Sequence, residues 1–477
     1  MWAIFAAILP PAAGIVAVAL VLTTAFWLLR AHLPSILLVF VLVLFVSILV
    51  TAPIPKLRPD RVAEKGDRLS EKWKESGQFN EDLPIVVHLV LDELMSVGAM
   101  ADDLPGASAT RQALLDFGEK HSFRTFGSVY SRSYYTAESI PHMMNAGYLG
   151  QTGLESIGDL RFDAKARKYN VVANEYFDDM ARRGYRTAVF QAVYLNFCQN
   201  RSIDLCETFD SFDPGAKTID SPSLRVALWR TIFRAYGPSY TSSFGETILA
   251  RAYGLPAEKV DVTVALEGGR YDVQRFPEWF ERFTRFTASV PRGTHVFGYF
   301  LVPHSPYLLQ ESCVLSGSTD GHGIANLPAS QQEQRRLDFY TRYFAQVRCL
   351  ANELDKFMAA LERSENFRDA VIIIHGDHGS RISRGEYLDD LVGKRDFIDN
   401  YATFFAVRAP TVPTGLDCQF ASLPEVFRRY VARDGRNTPV AKSPLPVSVV
   451  SLSGGGTRVE ASMPRFGCAT DPAMGLQ

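Results

Sequence analysis

The chain has 477 residues, 47% of them apolar and 21% charged, with a net charge of −2. That balance supports a sizeable core and excludes global disorder, and without a long basic run it favours no nucleic-acid partner. The length allows two or three domains, although large α/β enzymes often form one.

Residues 1–53 differ from the rest. Trp2–Leu29 carries no charge and is interrupted only by Pro10 and Pro11, while Leu33–Pro53 is nearly all apolar. Each is long enough to cross a bilayer, which takes about 20 residues. The apolar region is too long for a cleavable signal peptide and lacks a basic leader. A transmembrane helical hairpin turning at Arg30 and His32 is predicted, with everything after residue 54 on one side. Two signals disagree about that side. Lys56, Arg58, Arg61, Lys65 and Arg68 favour the cytoplasm by the positive-inside rule. Cys198, Cys206, Cys313, Cys349, Cys418 and Cys468, an even set beyond the membrane part, suit an oxidising compartment, although six buried free thiols would read the same.

Residues 54–82 are a charged juxtamembrane linker, in part helical. Ile85–Leu91 is a strand by its β-branched content, and it ends in Asp92 and Glu93. Ser108–Lys120 has helical spacing with Ser108 or Thr110 as cap. Phe123–Tyr130 is extended, Tyr169–Arg183 helical, Thr187–Val193 a strand, and Leu224–Tyr253 and Phe276–Phe286 helical. His295–Val302 is a buried strand that delivers Pro303 and His304. A long helix, Gln331–Arg363, leads into Val371–Ile374, four β-branched residues read as a strand buried on both faces. His375, Asp377 and His378 follow, interleaved with Gly376 and Gly379. Ala402–Val407 is a strand, Leu423–Arg433 a helix, and the Gly454–Gly456 tail a loop. Alternating strands and helices, with polar groups gathered after the strands, predict an α/β fold with a mostly parallel sheet sandwiched by helices.

Ligand crevices in such sheets lie outside the carboxyl ends of strands. Asp377 with His378 offers a carboxylate and an imidazole to a divalent metal. Asp92 and Glu93 add carboxylates and His304 a further imidazole. Singly, each reads as well as a polar turn. In Thr136-Ala137-Glu138-Ser139-Ile140-Pro141, Pro141 suits the first turn of a helix. The segment before it is then a nucleophile candidate near a helix N-terminus, where an alkoxide is favoured. Capping is the alternative role there, and the expected one for Ser139.

The ordered set VLDEL, TAESIP, HSPY and GDHG, spread over residues 83–410, resembles the alkaline phosphatase superfamily in its sulfatase-like branch. It is similar to membrane-anchored phosphoethanolamine and phosphoglycerol transferases and to sulfatase-domain membrane proteins. The resemblance implies a catalytic domain over residues 83–410, and residues 411–477 are read as an extension packed on it. It implies metal ligation by Asp92, Glu93, Thr136, Asp377 and His378, with Thr136 as nucleophile and His304 binding the phosphoryl group or a second metal. Arg381 is added from its chemistry, because a guanidinium pairs with phosphate oxygens.

Two departures narrow this. The sulfatase signature C/S-x-P-S-R is broken, since His142 and Met143 follow Pro141. No histidine lies in Gly379–Pro410, where the transferases usually carry one, so a single Zn or Mn is expected rather than two ions. The resemblance implies transfer of a phospholipid head group to an envelope glycan or lipid, through a covalent Thr136 intermediate, by a membrane protein whose domain faces outward. Hydrolysis of a phosphate or sulfate ester is the alternative. His375 is left out of the metal shell. A Cys198–Cys206 bridge is expected because eight residues close easily in a loop, with Cys313–Cys349 and Cys418–Cys468 by elimination.

Overall fold

The computed structural model describes residues 69–151, 160–163, 168–192, 194–209, 273, 275–314, 328–383, 393–431, 445–451 and 457–468. The predicted membrane hairpin, residues 54–68 of the linker and the predicted helix Leu224–Tyr253 lie outside them. Among the described residues no helix is long and apolar enough to cross a membrane.

Strand β1 (Val86–Leu91) is followed by helix α1 (Ala107–Lys120), the short strands β2 (Arg124–Phe126) and β3 (Val129–Tyr130), and helix α2 (Thr136–His142). Next come β4 (Leu160–Asp163), β5 (Lys168–Val171), α3 (Glu175–Arg182), β6 (Arg186–Ala192), β7 (Leu195–Asn196) and β8 (Leu205–Phe209). Helix α4 (Phe276–Ser289) leads into β9 (Thr294–Phe300), and the long α5 (Ala329–Leu361) into β10 (Val371–His375). Last are α6 (Lys394–Tyr401), β11 (Phe405–Arg408), β12 (Gly415–Asp417), β13 (Ala421–Ser422), α7 (Leu423–Val431) and the antiparallel pair β14 (Val447–Ser451) and β15 (Thr457–Ala461).

The central sheet has eight strands in the order β12-β2-β11-β10-β1-β9-β6-β8. From β10 through β8 all neighbours are parallel, whereas β11 runs antiparallel to both β10 and β2. Successive side chains of a strand face opposite sides, so β1 feeds two cores. Val87, Leu89 and Leu91 pack with α1, α4 and α5, and Val86 and Val90 pack with α2, α3 and α7. Ile372, Ile373 and Ile374 are fully buried, as expected for a strand covered on both faces. Each such side chain contributes roughly 1.5–3 kcal/mol by burial.

Several local expectations change. Neither Ser108 nor Thr110 caps α1. Gly106 holds that position at φ 84°, and the Thr110 hydroxyl donates back to its carbonyl at 2.8 Å. The stretch predicted as a helix from Tyr169 begins as strand β5, and the helix starts only at Glu175, capped by Asn174. Pro141 is the sixth residue of α2 rather than in its first turn. No strand is predicted where β14 and β15 form, and the Gly454–Gly456 stretch predicted as a loop lies outside the described residues. Residues 445–448 pack against the end of β3 and the segment that follows it, with Tyr130 Oη donating to Leu445 O at 2.8 Å and Ser448 N to Arg132 O at 2.7 Å. All six cysteines are paired as expected, in Cys198–Cys206, Cys313–Cys349 and Cys418–Cys468.

Candidate metal centre and active site

Strands β1, β9 and β10 are adjacent and parallel, so their carboxyl ends bring Asp92, the 301–307 loop and Asp377 to one edge of the sheet. The turn after β10 lies tight against its neighbours. A Cβ on Gly376 would stand 2.3 Å from Leu94 O, and one on Gly379 2.3 Å from Asp399 O. Only glycine lets the backbone pass there, and this close approach presents Asp377 and His378 to the interior.

Asp92, Asp377 and His378 are buried, with ligand atoms all within 4.8 Å of one another. Thr136, the first residue of α2, places Oγ1 3.2 Å from His378 Nε2 and 3.4 and 3.5 Å from the Asp92 carboxylate oxygens. His378 Nδ1 lies 2.9 Å from Gly379 O, which can only accept, so Nδ1 carries the proton. The Nε2 lone pair then faces Thr136, Asp377 Oδ2 at 3.2 Å and Asp92 at 3.7 Å. Burial holds the His378 pKa down, which keeps the ring neutral. Burial, then the charges of Asp377 and Glu93, pushes Asp92 well above the usual carboxylate range.

Asp377 Oδ1 accepts the N–H groups of Glu93 and His378 at 3.0 and 2.9 Å, whereas Oδ2 is buried and accepts no hydrogen bond. Two carboxylates and an imidazole lone pair therefore converge, with Tyr299 donating to Asp92 and Thr136 within reach of Asp92 and His378, but with no donor on Asp377 Oδ2. A buried carboxylate oxygen left unpaired is costly, and one divalent cation at this convergence would relieve it. Two oxygens and one nitrogen are a donor set that suits Zn or Mn. The residues fit the ion that the sequence implies.

Glu93 lies outside this group of three. Its backbone is left-handed, at φ 65°, and its carboxylate turns to Arg381, with Oε1 2.7 Å from both Nε and Nη2. Arg381, also left-handed at φ 53°, sets Nη2 2.8 Å from His304 Nε2. His304 Nδ1 is 2.5 Å from Ser305 O, so His304 is a neutral ring accepting from the guanidinium. Its side chain is 26% exposed while Glu93 is fully buried, which makes His304 the open side of this second cluster. His375 faces away from the ligands, with Nε2 2.7 Å from His88 Nε2. Ser139, expected as a cap, sits inside α2 and donates to Asp377 O at 2.6 Å.

Other supporting residues carried no sequence motif. Tyr299 donates to Asp92 Oδ2 at 2.9 Å. Helix α5 reaches the segments after β1, β9 and β10 from one buried face. Tyr340 contacts Ser380 Oγ at 3.0 Å, Tyr343 donates to Glu93 O at 2.7 Å, and the Gln346 amide donates to Pro303 O and His304 O at 3.0 Å each. Their spacing of three shows a shared helix face. Nothing local says which loops that face meets.

A family model described as Sulfatase matches residues 86–403. No curated protein matches the chain. Among solved structures, it is similar to the C-terminal periplasmic domain of EcEptC from Escherichia coli, at 11% identity over 81% of this chain and 94% of that one, with a TM-score of 0.43. It is also similar to a phosphonate monoester hydrolase of Agrobacterium radiobacter, at 14% identity over 72% of each chain, TM-score 0.40. A protein in the alkaline phosphatase superfamily from Vibrio parahaemolyticus matches at 11% identity over 78% of this chain and 73% of that one, TM-score 0.38.

Proposed function

This chain belongs to the sulfatase family of enzymes, within the alkaline phosphatase superfamily, and on that premise we propose a metal-dependent phosphoryl-group transferase with Thr136 as nucleophile. One observation carries the reading: a threonine hydroxyl stands among Asp92, Asp377 and His378, with Asp377 Oδ2 buried and unbonded. Ser139, two residues before Pro141 as in the broken sulfatase signature, is spent on the Asp377 carbonyl and its hydroxyl also pairs with Ser131 at 2.8 Å. That favours Thr136 over a modified residue at 139, and transfer over sulfate-ester hydrolysis.

Asp92, Asp377 and His378, with Thr136 beside them, would hold one Zn or Mn, which when bound lowers the hydroxyl pKa and offsets phosphoryl charge. Thr136 Oγ1 attacks the phosphorus of a phospholipid head group, in line with the bond to the diacylglycerol oxygen. That bond breaks, the head-group phosphoryl stays on Thr136, and protonation of the departing oxygen balances the proton lost from Oγ1. An acceptor hydroxyl on an envelope glycan or lipid then attacks the same phosphorus and frees Thr136. Arg381, on the open side, binds phosphoryl oxygens, and Glu93 and His304 hold the guanidinium in place. Three disulfides support an oxidising, extracytoplasmic location for this domain, and the apolar 1–53 segment supports a membrane anchor near the donor lipid.

The test is Thr136→Ala. Turnover is expected to disappear while metal content by mass spectrometry stays equal to wild type. Full activity in that variant would refute the covalent route. Hydrolysis that needs only water, unchanged by added glycan extract, would favour the hydrolase.

A further inference from the structure

Three rings form a row from solvent toward the metal centre and belong to no motif described above. Phe162 and Tyr169 are directly opposed on the β4–β5 pair, with ring centroids 4.9 Å apart. Tyr169 meets Tyr194 at 5.6 Å and 67°, and its backbone N–H donates to Tyr194 O at 3.0 Å. Tyr194 follows β6 by two residues. Because β6, β9 and β1 are parallel neighbours, it lies on the same edge of the sheet as Asp92. Burial, and after it the charges of Tyr169 and Asp92, raise its hydroxyl pKa to about 12, in keeping with that placement.

The row is built on a rigid base. Asn196 Nδ2 donates to Asn170 Oδ1 at 2.6 Å and Gln191 Nε2 to Asn196 Oδ1 at 2.7 Å, which ties the small sheet β4-β5-β7 to the central strand β6. Exposure grows outward. Tyr194 and Tyr169 are half-buried and Phe162 is 57% exposed. Phe162 is the one aromatic among the large apolar side chains exposed in the described residues, and as the outer end of a row that reaches the sheet edge carrying Asp92 it suggests ligand contact. An acyl chain would suit a groove of aliphatic side chains. Here two of the three rings carry hydroxyls, so each offers an apolar face with a polar rim. That is the pattern of a sugar ring, whose C–H face packs on an aromatic face while its hydroxyls find polar partners.

We propose that Phe162, Tyr169 and Tyr194 form a carbohydrate subsite that seats a glycan beside Thr136. Calling that glycan the acceptor rests on the transferase reading above; the binding itself does not.

Calorimetric titration of the full chain in detergent, carrying Thr136→Ala to stop turnover, tests it with maltohexaose and a laminarin hexasaccharide as probes. Saturable binding of at least one sugar is expected. Phe162→Ala should weaken it about tenfold, the loss of one stacking contact, and Phe162→Trp should retain it. Phe162 is largely exposed, so its variants test the contact rather than folding. Tyr169→Ala should show the same loss. Absence of sugar binding, or equal affinity with and without Phe162, overturns the proposal. So does a result in which the Phe162 variants alter binding of a short-chain phosphatidylethanolamine but not of sugars. Covalent capture of phosphoryl on wild-type Thr136 is read separately. Its failure with sugar binding intact defeats the transferase reading alone.

Discussion

Gln346 gives the sharpest test of how the site is held. Its side chain is fully buried on α5 and uses its whole amide on the loop that carries His304. Nε2 donates to Pro303 O and His304 O at 3.0 Å each, and Oε1 accepts Leu308 N and Leu309 N at 2.9 and 3.1 Å. Gln346→Leu keeps nearly the same volume, so the packing change is small. It removes the partners of two N–H and two carbonyl groups. A buried polar group left unpaired costs roughly 1–3 kcal/mol. With His304 partly open to water, some of these groups will be rehydrated, so the lower end applies and the total is about 4 kcal/mol. The loop should shift by a fraction of its contact distances, and displacing His304, which accepts from the phosphoryl-binding Arg381, on this scale costs about a hundredfold in rate. Denaturant unfolding and turnover of an aryl phosphodiester are the assays, with metal affinity as the control. Asp92, Asp377 and His378 have no hydrogen bond to Gln346, so metal affinity should stay close to wild type. Stability and kcat/KM both within about twofold of wild type would refute the claim that α5 sets this loop.

Tyr299→Phe removes the hydroxyl that Asp92 accepts at 2.9 Å and should weaken metal binding about 10–100-fold, measured by competition with a chelating dye. His295 lies between Tyr176 Oη at 2.9 Å and Thr187 Oγ1 at 3.3 Å, and burial, with the Arg183 charge adding to it, lowers its pKa to about 3. Between that value and the ordinary one of about 6.5, the unfolded chain binds a proton that the folded one lacks, so stability must fall as pH drops through this window. The slope is about 1.4 kcal/mol per pH unit for this group, and His295→Gln should flatten the stability profile by that much between pH 6 and 5. The Cys418–Cys468 bridge closes a 50-residue separation, and Cys418→Ser should cost roughly 2–5 kcal/mol by denaturant titration. Mass spectrometry of protein from its native membrane should find all six cysteines oxidised. Six free thiols would overturn both the pairings and the outward-facing domain.

Local pattern alone made much of this legible. Four β-branched residues in a row read as a strand covered on both faces, which located β10, and with it the place where Asp377 and His378 leave the sheet. Asp92 followed in the same way from β1, and Thr136 from its ordered place in the motif set. Local pattern failed where a side chain had a choice of partners. Ser139 looks like a cap in one dimension, but folding places the Asp377 carbonyl 2.6 Å away and the hydroxyl goes there. Glu93 is adjacent to Asp92 and equally acidic, yet a left-handed backbone turns it to Arg381, 288 residues on. Tyr299, Tyr343 and Gln346 carry no motif because their role depends on what α5 and β9 are packed against. Residue type and periodicity therefore determined the strands, the edge of the sheet where chemistry gathers and the chemical class of the ligands. Which of those groups face one another was decided only in three dimensions, because an unpaired buried lone pair takes its partner from whatever distant segment the sheet order brings within reach.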